Sequence, residues 1–458
     1  MDVRLSLASP RRRRVLKFVV PIFISLSAAI AFAQQQLYDL PPATDTREDT
    51  VSNPVTLAQP PERKSPNYVN FFAFANGVYD SSSPVLQSGE PNTGLSNVGG
   101  WGFEVGGGVT AYHDFNRGSI ALSYRGAYRD YQSSVYPSGS DQNLSFLFRK
   151  ALTNRWALTY AQAAGIFLNG GSYFSLQTSR TSSLNLNPYS ESTKFLSSSV
   201  TLSYQQTMRL SYEVGGDFYL TRYGGSGPFG TTGVGGSASV LYRVTRRTTV
   251  SGTYSHTYYT YQQGAGLSNA DNVYLTLSHD FSSRWHGGIS AGMSRTDSSG
   301  VLRTPAFFLL NGELFSAYVL GKYKQTSIFP FFQGTLTRAW KRSQFTVNIG
   351  QDVSSGNGLF LASRDQFVNG FYSYGTRKWN IGFGGDYSRL SSLSNAARPY
   401  SSETLSSSLG YSLTRYLGLN LRYFYTDYAN IGAFAGRVDN RISFGFVLNS
   451  KDVPITLF

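Results

Sequence analysis

Four histidines are the side chains best suited to proton transfer in this chain: His113, His256, His279 and His286. Two have an aspartate next door, as His113-Asp114 and His279-Asp280. Neighbours in an extended segment point to opposite faces, so neither pair is a local dyad. His256 lies in TYSHTYYT beside Ser255, with Asp271 further on. Nucleophilic catalysis needs serine and histidine on one face with a polar group orienting the ring. Ser255 and His256 fail that test locally, and only a partner on another segment could complete a site. There is no HExxH, phosphate-loop or calcium-loop signature. The glycine-rich stretches GGWGFEVGGG and GVGG lack nucleotide-binding context and read as relief of crowding on strands. The chain has no cysteine, which excludes disulfides and thiolate metal sites. The expectation is no enzyme, no catalytic residue, no cofactor and no metal.

A second set of charged residues is more informative. Glu104, Arg125, Arg129, Arg149, Glu213, Asp217, Arg243, Asp352, Asp386 and Arg422 share one parity with Ser, Thr and Gly. What positions them is period two. In SIALSYRGAYR (119–129), Ile120, Leu122, Tyr124 and Tyr128 alternate with Ser119, Ser123, Arg125 and Arg129. In LSYEVGGDFYLT (210–221), Leu210, Tyr212, Val214, Phe218 and Leu220 alternate with Ser211, Glu213, Asp217 and Thr221. Around 379–388, Trp379, Ile381, Phe383 and Tyr387 oppose Asn380, Asp386 and Ser388. Such segments are strands with one apolar and one polar face.

Eighteen of these segments can be counted between 68 and 449, and sixteen also fits the pattern. Repeated alternation over ten or more residues points to a single closed antiparallel transmembrane β-barrel, an all-β fold. Every backbone polar group must be paired within lipid, and closure achieves this without a free edge. Connections alternate in length. FNRG, LTNR, QTMR, VTRR, FSSR, WKRS, TRK and LTRY are short; 80–100 and 169–194 are long and rich in Ser, Gly, Asn and Pro. Short periplasmic turns and longer outer loops are expected, with both termini in the periplasm. The stretch 297–326 is apolar enough to hide a hairpin, a helix turn or a loop folded into the lumen.

Tryptophans mark the short turns: Trp156, Trp285, Trp340 and Trp379 each lie beside one. An indole settles at the headgroup level, so these four are expected membrane-interface anchors, and arginine beside them can meet lipid phosphates.

Residues 1–33 read as a cleaved signal peptide. Arg11 to Arg14 and Lys17 precede an apolar run, and Ala31-Phe32-Ala33 offers small residues before Gln34. Residues 34–66 are proline-rich and read as a disordered periplasmic leader. The barrel domain is then 67–458. The formal charge of +14 falls to about +9 without the first 33 residues. In an exported chain this balance suits anionic headgroups or solutes better than nucleic acid.

The leader, the alternation, the turn pattern and a terminal ITLF ending in Phe458 resemble the Gram-negative outer-membrane β-barrel superfamily, among its larger porin-like and export barrels. The resemblance implies insertion in outer-membrane lipids, recognition by the barrel-assembly machinery and a location in the bacterial outer membrane. Asp452, Pro454 and Thr456 interrupt the apolar alternation such ends usually carry, so Phe458 reads as a tail beyond the last strand. No oligomer interface is visible in the sequence. The charged parity is expected to line a water-filled lumen, since barrels of roughly 16–18 strands are wide enough for a channel. Three roles follow: passage of small hydrophilic solutes, export of a surface polysaccharide, or adhesion through the outer loops. The opposing expectation is a plugged interior, with the charges paired to one another or to infolded loops.

Overall fold

In the computed structural model the described residues are 67–81, 99–132, 138–168, 192–224, 230–262, 265–310, 313–356, 361–376, 378–393, 399–429, 437–450 and 453–454. The signal and leader expectations lie outside them. Eighteen long strands follow in order: β1 (Tyr68–Asp80), β2 (Gly100–Phe115), β3 (Gly118–Tyr131), β4 (Gly139–Ala151), β5 (Trp156–Leu168), β6 (Ser192–Gln205), β7 (Leu210–Tyr223), β8 (Thr231–Arg243) and β9 (Thr248–Tyr261). They continue as β10 (Gly266–Asp280), β11 (Trp285–Leu310), β12 (Glu313–Ala339), β13 (Ser343–Ser354), β14 (Ser363–Gly375), β15 (Trp379–Ser392), β16 (Tyr400–Ser412), β17 (Leu417–Ala429) and β18 (Arg437–Asn449). Each pairs antiparallel with its sequence neighbours, and β1 also pairs with β18, so the sheet closes on itself. A two-residue β19 (Val453–Pro454) adds to the lower end of β1, beyond the last long strand.

Alternation sets the two faces. Along β1, Phe72, Phe74, Asn76, Val78 and Asp80 are buried, while Phe71, Ala73, Ala75 and Gly77 are exposed. Along β18, Arg441, Ser443 and Val447 are buried, while Ile442, Phe444, Phe446 and Leu448 are 45–55 % exposed. Along β18 large apolar side chains thus stand on the outside with the charged Arg441 inside, the reverse of a water-soluble fold. Only a lipid solvent makes that arrangement favourable.

The β1–β18 seam runs from Phe72↔Asn449 to Asp80↔Arg441. Its inner side is held by polar contacts. Arg441 donates to both carboxylate oxygens of Asp80, Tyr131 donates its hydroxyl to the same carboxylate, and Asn420 Nδ2 donates to Asn76 Oδ1 at 3.1 Å. A one-residue slip would turn these groups into lipid, so they fix the closing register.

The glycine run of β2 has a packing reason. A Cβ on Gly106 would lie 2.6 Å from Phe74 Cζ, and one on Gly108 would lie 2.5 Å from Phe72 Cζ. The two stacked rings, 6.4 Å apart, therefore lie flat against the inner wall where a side chain would otherwise stand.

The described residues of 297–326 resolve as strand. β11 and β12 are 26 and 27 residues long and pair continuously from Trp285↔Arg338 to Leu310↔Glu313. Their outer neighbours stop sooner: β10 pairs no further than Gly300, and β13 pairs no further than Phe332. The pair thus continues as a two-stranded extension of the wall. At the β13–β14 connection the described residues Ser355 and Leu361 lie against inward side chains. Leu361 packs with the inward Tyr259, Tyr261 and Ala270, and Ser355 lies near the inward Tyr219.

Candidate functional site: the lumen wall and the membrane collars

All ten charged residues selected from sequence stand on the inward parity of their strands, as burial and register show. They do not form one group. Glu104, Arg125, Arg129 and Arg422 belong to a buried network on the wall made by β17, β18 and β1–β4. Arg125 reaches Glu104 at 3.3 Å, and Arg129 reaches Glu104 at 3.8 Å and Asp141 at 3.0 Å. Arg422 and Arg441 lie within electrostatic reach of Glu104. Arg125 also sits over the Phe74 ring, 4.5 Å from its centre. Glu104, Arg125, Arg129, Arg422 and Arg441 are all between 1 and 4 % exposed.

The others are separate. Arg149 and Arg243 lie at the turn-side ends of β4 and β8, opposite Thr159 and Thr249. Glu213 and Asp217 lie on β7, opposite Ser203 and Ser199. Asp352 accepts from Gln333 Nε2 at 3.3 Å, and Asp386 faces Asn369 and Thr404 across the strands. Four buried inward charges join these that sequence reading passed over: Asp80, Asp141, Asp365 and Arg441. Each sits at the outer end of its strand, continuing a parity already evident further down.

Two stretches of the wall are built differently. Mid-barrel inward positions of β5–β8 include Ala161, Ala163, Ser197, Ser199, Gly215 and Ser237, and β15–β16 present Gly382, Gly384, Ser406 and Ser408. Across the same height, β1–β3 present Phe72, Phe74 and Arg125. Small side chains therefore line one part of the circumference and large ones another.

The histidines contact aspartate, threonine or an aromatic ring. His256 Nδ1 lies 2.8 Å from Asp271 Oδ1, and Tyr254 donates to that oxygen at 2.8 Å. This cluster faces outward, whereas Ser255 faces inward and accepts from Asn272 Nδ2. His286 contacts Asp280, and His279 Nδ1 lies 2.9 Å from Thr248 Oγ1. His113 stacks on Phe115. Among the described residues no group of three His, Asp or Glu is arranged to hold a metal ion.

The short turns repeat one device. Thr153 Oγ1 accepts from the N–H groups of Arg155 and Trp156; Thr207, Ser282, Thr376 and Thr414 do the same for the second and third residues after them. The hydroxyl replaces strand pairing exactly where the chain reverses, which is why the turns read Ser/Thr-x-Arg/Lys or a close variant. The carbonyl of the last turn residue then accepts from the end of a neighbouring strand, as in Gln205 N to Arg155 O and Arg243 N to Arg209 O. The turns are thereby linked around the rim.

Aromatic rings surround that rim on the outside. Trp156 packs on Tyr204 at 4.6 Å and Tyr204 on Tyr212 at 6.5 Å; Trp379 packs on Tyr411 at 4.5 Å. Arg338 lies between Trp285 and Trp340, 4.7 and 4.3 Å from their centres. At the opposite edge Trp101 packs on Tyr79 at 4.8 Å. Between the edges lie exposed Val200, Val214, Val240, Leu275, Ile289 and Leu405. An apolar band flanked by aromatic rings is the exterior of a membrane-spanning barrel. The chain is a membrane-spanning β-barrel.

No protein-family model and no curated protein matches it. Solved structures that overlap it include Pseudomonas aeruginosa OccK9 (OpdG), with 11% identity, a TM-score of 0.40, and coverage of 84% of this chain and 98% of that one. OccK2 (OpdF) of the same organism, described in complex with glucuronate, gives 11% identity, a TM-score of 0.40 and the same coverages. A BenF-like porin from Pseudomonas fluorescens Pf-5 gives 9%, 0.40, 84% and 98%. Likeness at this level carries nothing about cargo.

Proposed function

We propose that the barrel is a porin-like channel for passive passage of small hydrophilic solutes. The observation that carries this reading is the division of the lumen wall. Its large charged side chains are paired with one another along β17, β18 and β1–β4, while β5–β8 and β15–β16 present Ser, Ala, Gly and Thr to the interior. Paired charges hold the thick side against its own strands, and the thin side leaves a polar path. Leu361 and Ser355, between β13 and β14, narrow that path near the outer end, which favours small cargo over a polymer. Charges along the path, Glu213, Asp217 and Asp386 among them, bias which ions enter.

Liposome swelling tests the size range. Proteoliposomes are expected to swell in isosmotic monosaccharide and amino acid, and to swell more slowly as the solute grows to a trisaccharide. Failure to swell in any small solute, with a folded barrel present, would remove the proposal.

A further inference from the structure

The charge of the connections is sharply one-sided. The eight short turns together hold eleven Lys or Arg and no Asp or Glu, with at least one cation in every turn. The nine connections at the other end hold two Arg, Arg180 and Arg398, and two Glu, Glu90 and Glu191. Net positive charge is therefore placed around one rim of the barrel, the rim carrying four of the five tryptophans.

Ten of the eleven turn cations are described, and all ten are exposed. None of the ten forms an ion pair among the described residues. Nor do their side chains hold the turns together. The backbone N–H groups of Arg155, Arg209, Arg284 and Lys378 are bonded by Thr or Ser hydroxyls, leaving the charged ends free of structural duty.

Apolar side chains stand among them. Met208 is 86 % exposed and Phe281 60 %, and Leu152, Val244 and Leu413 are exposed as well. Cations interleaved with apolar groups, next to interfacial indoles, match a lipid boundary. A soluble acidic protein would meet the charges but leave the apolar groups in water.

We infer that this rim is a collar for anionic glycerophospholipid headgroups in the leaflet it meets. Lipid phosphates and headgroup charge supply the anions, and the acyl region receives the apolar side chains. The collar is independent of whether the lumen conducts.

The test uses the intact barrel in nanodiscs of mixed phosphatidylglycerol and phosphatidylcholine, with retained lipids counted by native mass spectrometry. A variant carrying Arg155→Gln, Arg209→Gln, Arg284→Gln and Lys378→Gln is compared after its folding is checked by heat-modifiable gel mobility. The wild type is expected to retain phosphatidylglycerol several-fold over phosphatidylcholine, and the variant to lose most of that preference. Equal retention of the two lipids by the wild type overturns the inference, as does an unchanged preference in a folded variant. Polyglutamate binding equally well in discs with and without phosphatidylglycerol would also overturn it, since the cations would then stand uncovered by lipid.

Discussion

Asp80→Asn is expected to destabilise the barrel by about 3–5 kcal/mol, the usual cost of removing one member of a buried ion pair. Asp80 is 1 % exposed and receives both Arg441 and Tyr131. It also closes the seam, pairing in register with Arg441 between the first and last long strands. Asparagine keeps the shape but removes the charge that offsets a guanidinium buried to 3 % exposure. The measurement is the temperature at which the folded gel band converts to the unfolded one, with a urea midpoint alongside. Glu403→Gln is the control: Glu403 is exposed and faces outward, so its change should stay within about 0.5 kcal/mol. Equal shifts for the two variants would show that the network does not hold the seam.

The second large effect concerns the free part of the lumen. Ser199→Trp together with Ser408→Trp should reduce single-channel conductance by roughly half or more, because interior volume sets the aqueous path in a barrel of this size. Both serines are on inward positions of the thin walls, Ser199 opposite Ala161 and Asp217, and Ser408 opposite Gly382 and Arg422. Val200→Trp, one residue away but facing lipid and 44 % exposed, should leave conductance unchanged. If the double variant folds and conducts as the wild type does, ions do not run along these walls.

Much of this architecture was legible because lipid imposes it. A strand crossing the membrane must alternate, so Ile120, Leu122 and Tyr124 against Ser119, Ser123 and Arg125 announce themselves. All eighteen long strands carry that signature, and their parity sorted ten charged residues onto one side. Strand ends are different. Beyond the membrane the alternation is no longer enforced, and Asp80, Asp141, Asp365 and Arg441 were passed over there although Asp80, Asp141 and Arg441 carry part of the buried network. The β11–β12 extension was obscured for the same reason: LRTPAFFLL has no alternating face to mark it as strand.

The inward contacts of Leu361 left a fainter trace. SGNGLFLA is short and uncharged, and its one unusual feature is Leu359-Phe360-Leu361 in a connection expected to be polar. Leu361 finds its apolar partners on β9 and β10, contacts between strands far apart in sequence that no local pattern encodes. The turns gave the opposite case. The basic residue and tryptophan were evident, but the residue that makes the turn is the modest Thr or Ser before them, whose hydroxyl bonds two backbone N–H groups.

The central claim is that a polar path runs through this barrel beside a wall of paired charges. Planar-bilayer recording of the purified, folded wild-type protein tests it most directly. Discrete stepwise increases in conductance are expected at constant voltage as single barrels insert. Repeated insertion of folded protein with no conductance steps would contradict it.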